Sequence, residues 1–417
     1  MRIGPLILLF VIVGLLFLLD WYVYQGLKTL TEPMQSTAAR QSIRWGHWLI
    51  SLGLPVFIAL VYVNLGRMNF YFTTAGSIFT MMLVTKLVFV GVLMGGDLFR
   101  VAEGAWNWIA GQGGTNGGEF IPERRRFVSQ LALGVAAIPF TSFLYGITKG
   151  KYNFKVHRHT LYFPDLPEAF DGFTIAQISD IHSGSFQDAD AVRRGVEMVN
   201  EQGADLFVFT GDLVNSMATE FDPWVDIFKQ IKAPYGQYSI LGNHDYGDYH
   251  RWPSAEAKRQ DFEAMLRNHA KAGFRLLLDE QVAIEKDGQQ IALLGVENWG
   301  IGFGQRGDLK KALADVPKGA FKVLLSHDPT HWEKEVKAYS RHIHLTLSGH
   351  THGMQMGVEI PGLRWSPVKY RYPRWAGLYE ENGRFLNVNR GFGFLGFHGR
   401  VGIWPEITVL ELKRGTV

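Results

Sequence analysis

Four long apolar runs within the first 150 residues set the strongest constraint on how this chain can fold. Each run has about 20 residues, the length at which an α-helix crosses the hydrocarbon core of a bilayer. Tryptophan and tyrosine lie near several ends of the runs, where the membrane–water interface favours them. We therefore predict a transmembrane region at residues 1–150 with about four helices. The predicted helices lie near residues 4–24, 48–66, 72–96 and 127–147.

Basic residues in the connecting loops predict the orientation of these helices. The loops after the first and third runs carry more Lys and Arg than the opposite side, and such loops stay in the cytoplasm. Both ends of the chain, and the domain at residues 151–417, are then expected on the periplasmic or outer side of an inner (plasma) membrane that the chain crosses several times. The two sets compared are Lys28, Arg40, Arg44, Arg100, Arg124, Arg125 and Arg126 against Arg2, Arg67, Lys149 and Lys151.

The stretch RRRFVSQLALGVAAIPF, which begins at Arg124, also resembles a twin-arginine export signal. A positively charged membrane anchor is the alternative interpretation, and both send the following domain outward. Asp20 and Lys86 lie within or at the edge of the predicted spans. A charge in hydrocarbon is costly, so such residues usually pair, reach the interface or serve transport. Here we favour an interfacial position or a structural pair.

The remaining residues have the mixed composition of a soluble domain. The net charge of +3 and the lack of a long basic run give no reason to expect a nucleic-acid partner. The sequence contains no cysteine, which excludes disulfides and thiolate metal sites. Any metal must therefore be bound by Asp, His, Asn or Glu.

Residues 151–417 alternate short apolar runs with amphipathic stretches of helical length, a pattern typical of layered α/β architecture. The C-terminal part is richer in strands, near residues 384 and 406. We expect two facing sheets with helices on the outside. The predicted central strands are 173–179, 205–211, 237–243, 291–296, 321–327 and 344–350, and the clearest helices are 188–202 and 254–273.

Five of these strands end in residues that can bind metals. In open α/β sheets, ligands gather at the carboxyl ends of the strands. Each residue alone has a structural explanation, such as a turn or a helix cap, but five strand ends with only Asp, His and Asn are hard to obtain by accident. The residues are Asp180, His182, Asp212, Asn243, His244, Asp245, His327, His350 and His352.

The number and type of these side chains predict a pair of metal ions. Carboxylate, amide and imidazole donors suit divalent Mn, Fe or Zn. The probable ligands among them, three oxygen donors and four imidazoles, are too many for one ion of four to six ligands, whereas a bridging carboxylate would let them hold two ions about 3.5–4 Å apart.

The ordered blocks SDIHSG, TGDLV, LGNHDYG, SHDP and SGHTHGMQ resemble the calcineurin-like metallophosphoesterases, in particular a bacterial membrane-associated subfamily. The resemblance covers residues 170–355 and implies a four-layer α/β/β/α metallophosphoesterase sandwich. It implies that Asp212 bridges the two ions, that His244 lies near the leaving group and that Asp245 orients His244. It implies one metal on Asp180, His182 and His352, and a second on Asn243, His327 and His350.

These features predict a membrane-anchored enzyme that hydrolyses phosphate mono- or diesters with hydroxide activated by two metal ions. A catalytic domain tethered at a bilayer suggests lipid-linked or envelope phosphates as substrates. Arg390 and Arg400 are candidates to clamp a phosphate oxygen, with surface salt bridges as the alternative role. The rival hypothesis is a membrane sensor or transporter-like protein whose outer domain binds metal without hydrolysis. A metal-dependent amidohydrolase is the third, less favoured hypothesis, because Lys or Glu ligands are absent from these blocks.

Overall fold

The computed structural model describes residues 3–65, 69–110 and 122–416. The chain divides into two compact units, Met1–Tyr145 and Gly146–Val417. Arg2 and Arg67, which entered the comparison of loop charges, lie outside the described residues.

Four helices in the N-terminal part are each long and apolar enough to cross a membrane, as predicted. The third has 40 residues and runs past the predicted end at residue 96 to Ile109, so its length is about 60 Å at the usual helical rise. That is about twice the thickness of the hydrocarbon core. The helices are α1 (Ile3–Thr31), α2 (Thr37–Leu65), α3 (Phe70–Ile109) and α4 (Pro122–Thr148).

A polar cluster lies among α1, α2 and α3. The Nζ atom of Lys86 is 2.6 Å from Oδ1 of Asp20, and the hydroxyl of Ser51 donates to the same carboxylate oxygen at 2.9 Å. The Lys86 ammonium also donates to the Ser51 hydroxyl at 2.8 Å. Asp20 and Lys86 therefore form a structural pair, one of the two interpretations that the sequence allows.

Replacement of Lys86 by Met is expected to destabilise the first unit, Met1–Tyr145, because the Asp20 carboxylate would stay buried without its cation. Removal of one partner of a buried ion pair costs about 3–5 kcal/mol. The measurement is the thermal unfolding midpoint of the purified full-length chain in detergent. The matched double variant, Asp20→Asn with Lys86→Met, should recover most of the loss, and equal midpoints for the two variants would contradict the pairing argument.

The second unit contains five helices and fourteen strands among its described residues. The helices are α5 (Ala189–Asn200), α6 (Val225–Phe228), α7 (Ala255–Lys271), α8 (Leu309–Ala312) and α9 (Thr330–Lys334). The strands are β1 (Lys155–Phe163), β2 (Phe173–Ile178), β3 (Leu206–Thr210), β4 (Gln237–Ile240), β5 (Arg275–Leu276), β6 (Glu280–Lys286), β7 (Gln289–Gly295), β8 (Lys322–Leu325), β9 (Leu345–Ser348), β10 (Val358–Ile360), β11 (Leu363–Trp365), β12 (Gly377–Glu381), β13 (Arg384–Val388) and β14 (Glu406–Arg414).

The strands form two six-stranded sheets and a separate hairpin. The first sheet has the order β1-β14-β2-β3-β4-β5, and the second has the order β12-β13-β9-β8-β7-β6. Strands β2, β3, β4 and β5 run parallel to one another in the first sheet, and β7, β8, β9 and β13 run parallel to one another in the second. Parallel strands point the same way, so their carboxyl ends gather at one edge of each sheet.

Alternate residues of each strand point to opposite layers, as strand geometry requires. In β3, Leu206 and Val208 pack between the two sheets, whereas Phe207 and Phe209 pack under the helices of the first sheet. Leu324 of β8 packs under α8 and α9 on the outer side of the second sheet. The layers are therefore α/β/β/α, which confirms the predicted fold class.

The first and last strands of this unit are neighbours. Strand β14 lies between β1 and β2, parallel to β1 and antiparallel to β2. The register runs from Lys155 opposite Glu406 to Phe163 opposite Arg414. Sequence patterns identified β14 but not β1, whose alternating exposure comes from its place at the edge of the sheet.

Candidate metal centre

Five of the predicted ligands have left-handed backbone conformations. A non-glycine residue in this region is strained by about 1–3 kcal/mol, and such strain persists where the surrounding structure imposes it, often at functional sites. The sharp turns after the strands direct the side chains back over the sheet edge. The φ values are 50° for Asp180, 46° for His182, 62° for Asp212, 72° for His350 and 50° for His352.

Asp180, His182 and His352 form one group of side chains that can hold a metal ion. The Nε2 atoms of His182 and His352 are 3.0 Å apart, and Nε2 of His352 is 3.3 Å from Oδ1 of Asp180. All three residues are buried. Their donor atoms converge on a space of the size of one cation.

Asp212, His327 and His350 form a second such group. Nε2 of His327 is 3.2 Å from Oδ2 of Asp212 and 3.3 Å from Nδ1 of His350. Asn243 adds a further donor, because its Oδ1 is buried and has no hydrogen-bond partner among the described residues. Its Nδ2 donates to the hydroxyl of Tyr249 at 2.9 Å. A carbonyl oxygen left in this way fits a metal ligand.

The Asp212 carboxylate joins the two groups. Its Oδ2 lies 3.5 Å from Nε2 of His182 in the first group and 3.2 Å from Nε2 of His327 in the second. Its Oδ1 accepts a hydrogen bond from the backbone N–H of His244 at 2.8 Å. The geometry therefore suits a carboxylate shared by two ions.

Backbone carbonyls fix the rings of two of the histidines. Nδ1 of His182 is 3.1 Å from the carbonyl oxygen of Val214, and Nδ1 of His327 is 2.8 Å from that of Thr210. Each ring therefore uses Nδ1 for the backbone and leaves Nε2 for a ligand. Such outer contacts set the tautomer of metal-binding histidines.

Two side chains that sequence reasoning missed hold the ring of His350. Its Nε2 is 2.9 Å from the hydroxyl of Tyr372 and 3.4 Å from Oδ2 of Asp328. Nδ1 is then the nitrogen that faces His327. Asp328 follows His327 directly, so the sequence offered a signal for it, whereas Tyr372 lies in a segment without any metal-binding pattern.

The electrostatics of the centre fit a cation. Burial raises the pKa of the Asp180 carboxyl to about 7, so a cation beside it would favour its ionised form. Burial lowers the pKa of His182 to about 3 and that of His350 to about 4, so both rings are neutral at pH 7. Neutral imidazole is the form that binds a metal ion.

His244 lies beside both groups. Its ring meets the ring of His182 edge-on, with centroids 4.9 Å apart, and stacks on Tyr249 at 4.3 Å. Its Nδ1 lies 2.6 Å from the carbonyl oxygen of Asn215. Nε2 is therefore the nitrogen available for proton exchange.

The structure corrects the contact predicted for Asp245. Its carboxylate accepts hydrogen bonds from the backbone N–H groups of Gly242 at 2.8 Å, Asp212 at 2.9 Å and Leu213 at 2.8 Å. Asp245 therefore ties the Asp212 loop to its own loop, and Asn215 holds the His244 ring instead. Sequence proximity suggested the wrong partner because the turn directs the two neighbouring side chains apart.

The phosphate-clamp prediction for Arg390 and Arg400 is also corrected, as is its surface alternative. Both side chains are buried. Arg390 pairs with Glu406 at 2.5 Å and with Glu359 at 2.6 Å, and Arg400 donates to backbone carbonyls, including that of Arg390 at 2.8 Å. Both guanidinium groups are occupied by contacts that hold the C-terminal segment in place.

Gly349 allows a close approach beside the first group. A Cβ atom at this position would collide with Oδ2 of Asp180 and with the side chain of Ser179. We expect Gly349→Ala to weaken binding of the first ion by about 10–100-fold, the usual effect of disturbing a ligand's support. Metal titration of the purified chain measures this, with Gly319→Ala as the control because that site is open. Unchanged affinity would show that the Asp180 carboxylate is free to move.

Both parts of the chain are similar to known protein families. The family model described as "Calcineurin-like phosphoesterase" matches residues 173–354, and that described as "Probable Calcineurin-like phosphoesterase, transmembrane domain" matches residues 1–151. The "Uncharacterized metallophosphoesterase YkuE" of Bacillus subtilis (strain 168) is 30% identical over 257 residues, which are 61% of this chain and 84% of that protein. The chain belongs to the calcineurin-like metallophosphoesterase family.

Two other relatives of this metallophosphoesterase extend the comparison. The "Phosphodiesterase YaeI" of Escherichia coli (strain K12) is 28% identical over 69% of the chain and 98% of its own length. The "Transmembrane protein with metallophosphoesterase domain" of Danio rerio is 30% identical over 60% of the chain and 55% of its own length. The chain is thus a membrane protein and a phosphoesterase of the hydrolase class, as predicted.

Proposed function

We propose that this membrane metallophosphoesterase uses two divalent metal ions to hydrolyse phosphate mono- or diesters on the outer side of the inner membrane. The observation that carries the proposal is the position of Asp212 Oδ2, within 3.5 Å of a histidine from each group. One carboxylate between two sets of imidazole side chains is a geometry that a single-ion site does not need.

We assign the ligands as the sequence predicts. Asp180, His182 and His352 would hold one ion, Asn243, His327 and His350 the other, and Asp212 both. Mn, Fe and Zn are the candidates for this mixed set of oxygen and imidazole donors. When bound, two such cations lower the pKa of water and neutralise the charge on the phosphate.

The protein's own contribution to turnover is assigned to His244. Its Nδ1–H donates to the Asn215 carbonyl, and Tyr249 supports one face of the ring. Nε2 then gives a proton to the departing alkoxide, a step that a positioned acid accelerates by about 10²–10⁴-fold. Asp245 has a positioning role, since it fixes the backbone that carries Asp212.

The proposed outward orientation is supported by the excess of basic residues after the first and third predicted spans, including Arg44 and Arg124. A single cysteine tests it, because the chain has none of its own. Gln290 is exposed on the second unit, Gly146–Val417, which we call the catalytic unit. In the variant Gln290→Cys we expect labelling by a membrane-impermeant maleimide in intact spheroplasts. Labelling only after lysis would place the unit in the cytoplasm.

The activity test uses the full-length chain in detergent or lipid discs, stripped of metal and then supplied with Mn, Fe or Zn. Two bound ions per chain are expected, together with hydrolysis of at least one member of a panel of monoesters, diesters and pyrophosphates that includes lipid-linked ones. A chain that binds no more than one ion would overturn the binuclear assignment. Two bound ions without hydrolysis of any panel member would favour a sensor or transporter-like protein.

A further inference from the structure

The β10–β11 hairpin has an apolar face directed to the outside. Val358 pairs with Trp365 and Ile360 pairs with Leu363, so these four side chains share one face. Their exposed fractions are 41%, 58%, 50% and 36% for Val358, Ile360, Leu363 and Trp365. Large apolar side chains grouped in this way mark an interaction surface rather than ordinary protein surface.

The opposite face of the hairpin is polar and holds it against the domain. Glu359 pairs with the buried Arg390 at 2.6 Å. Arg364, paired with Glu359 in the hairpin register, places its guanidinium 5.6 Å from the ring centre of Trp375. This arrangement is the reverse of the usual one, in which the apolar face packs on the core. The ion pair therefore keeps the apolar face outward.

Exposed basic and aromatic residues follow the hairpin directly. Lys369 and Arg371 are exposed, and Tyr370 is 77% exposed. Apolar and aromatic side chains beside Lys and Arg are the combination that binds the interface of an anionic bilayer. A protein partner would need a complementary acidic and apolar surface, whereas a bilayer supplies both features at once.

The same segment reaches the metal centre. The Ser366 hydroxyl donates to the carbonyl oxygen of Gly353 at 2.7 Å, next to the ligand His352. The Tyr372 hydroxyl contacts Nε2 of His350 at 2.9 Å. The segment that follows the hairpin is thus linked by direct contacts to two of the assigned metal ligands, or to their immediate neighbours.

We infer that the β10–β11 hairpin, with Lys369, Tyr370 and Arg371, rests on the surface of an anionic lipid bilayer. The four helices that can cross a membrane tether the catalytic unit to a bilayer. This contact presents the metal centre to phosphate groups at the level of the lipid headgroups. Resting on the proposed phosphoesterase function, the inference names the substrate class as phosphate-bearing lipids within the bilayer.

The contact is tested in the full-length chain by a spin label at Leu363→Cys, the single thiol of that variant. The chain is reconstituted into phosphatidylethanolamine vesicles that contain phosphatidylglycerol, and relaxation by oxygen and by a water-soluble nickel complex is measured. We expect high oxygen and low nickel accessibility, as in lipid, with the reverse at the control Gln290→Cys. High nickel accessibility at Leu363→Cys would show that the hairpin faces water, and low accessibility to both would show that a protein covers it. Either result overturns the inference.

The substrate class is tested by the double variant Ile360→Asp with Leu363→Asp. Hydrolysis of phosphatidic acid in the vesicles should fall about tenfold or more, because two apolar contacts become charged, while hydrolysis of a soluble aryl phosphate should not change. Tyr162→Asp, at an exposed aromatic of β1, is the control. Equal losses on both substrates would contradict a role specific to lipid. A wild-type chain inactive on both of these substrates and on the whole panel of phosphate esters would refute the proposed function, and the spin-label result would still decide the position of the hairpin.

Discussion

Replacement of Asp212 by Asn is expected to release both metal ions together and to lower turnover by roughly a thousandfold or more, since the charge shared by the two cations is lost. The amide keeps the size of the side chain but removes its negative charge. Because Oδ2 of Asp212 faces His182 in one group and His327 in the other, neither ion would keep its full set of donors.

Metal content and kinetics of the purified variant measure this effect. Asp190→Asn is the matched control, because Asp190 is an exposed carboxylate whose partner is the surface residue Arg193. The control should bind two ions and turn over at the wild-type rate. If titration of the Asp212 variant found one tight site intact, the shared-carboxylate assignment would be wrong.

Replacement of His244 by Ala should leave the metal content unchanged and reduce turnover by about 10²–10⁴-fold, the range for loss of a general acid. The variant keeps the backbone N–H that donates to Asp212, so the metal ligands retain their support. It loses the ring whose Nδ1 lies against the Asn215 carbonyl, and with it the proton for the leaving group.

The leaving group makes this test specific. An alkyl phosphate ester needs a proton on the departing oxygen, whereas nitrophenolate leaves easily without one, so the variant should lose far more activity on the alkyl ester. His250→Ala, at an exposed ring on the same loop, should lose little on either substrate. Equal losses on both esters, or loss of metal from the His244 variant, would show that the ring has a different role.

The strand ends could be predicted from the sequence because a continuous apolar run changes there to polar residues. Buried strands such as β3 read as continuous apolar runs, and the first polar residues after them, such as Asp212, must lie at the sheet edge. The order of the chain then places Asp180 and Asp212 at the carboxyl ends of strands in the first sheet and His350 at that of a strand in the second. The structure describes the left-handed turns that complete the convergence, and these are not visible in residue type.

Features that depend on distant contacts could not be predicted in the same way. Burial of Arg390 comes from Glu406 and Glu359, which the fold brings to it from both sides in the sequence. The outward face of the β10–β11 hairpin is equally hidden, because alternation gives two faces without telling which one packs. The partner of Asp245 was missed for a local reason, since the direction of each side chain in a tight turn depends on backbone angles.

The place of β14 between β1 and β2 has a consequence for biogenesis. The first sheet has a gap next to β2 until the residues up to Arg414 have been made, so the catalytic unit cannot complete its folding before β14 has left the ribosome. If this unit crosses the membrane, an unfinished sheet suits passage as an extended polypeptide, with closure of the gap afterwards. A stop codon that removes β14 would leave two unpaired strand edges and should send the product to proteolysis rather than yield a shorter enzyme.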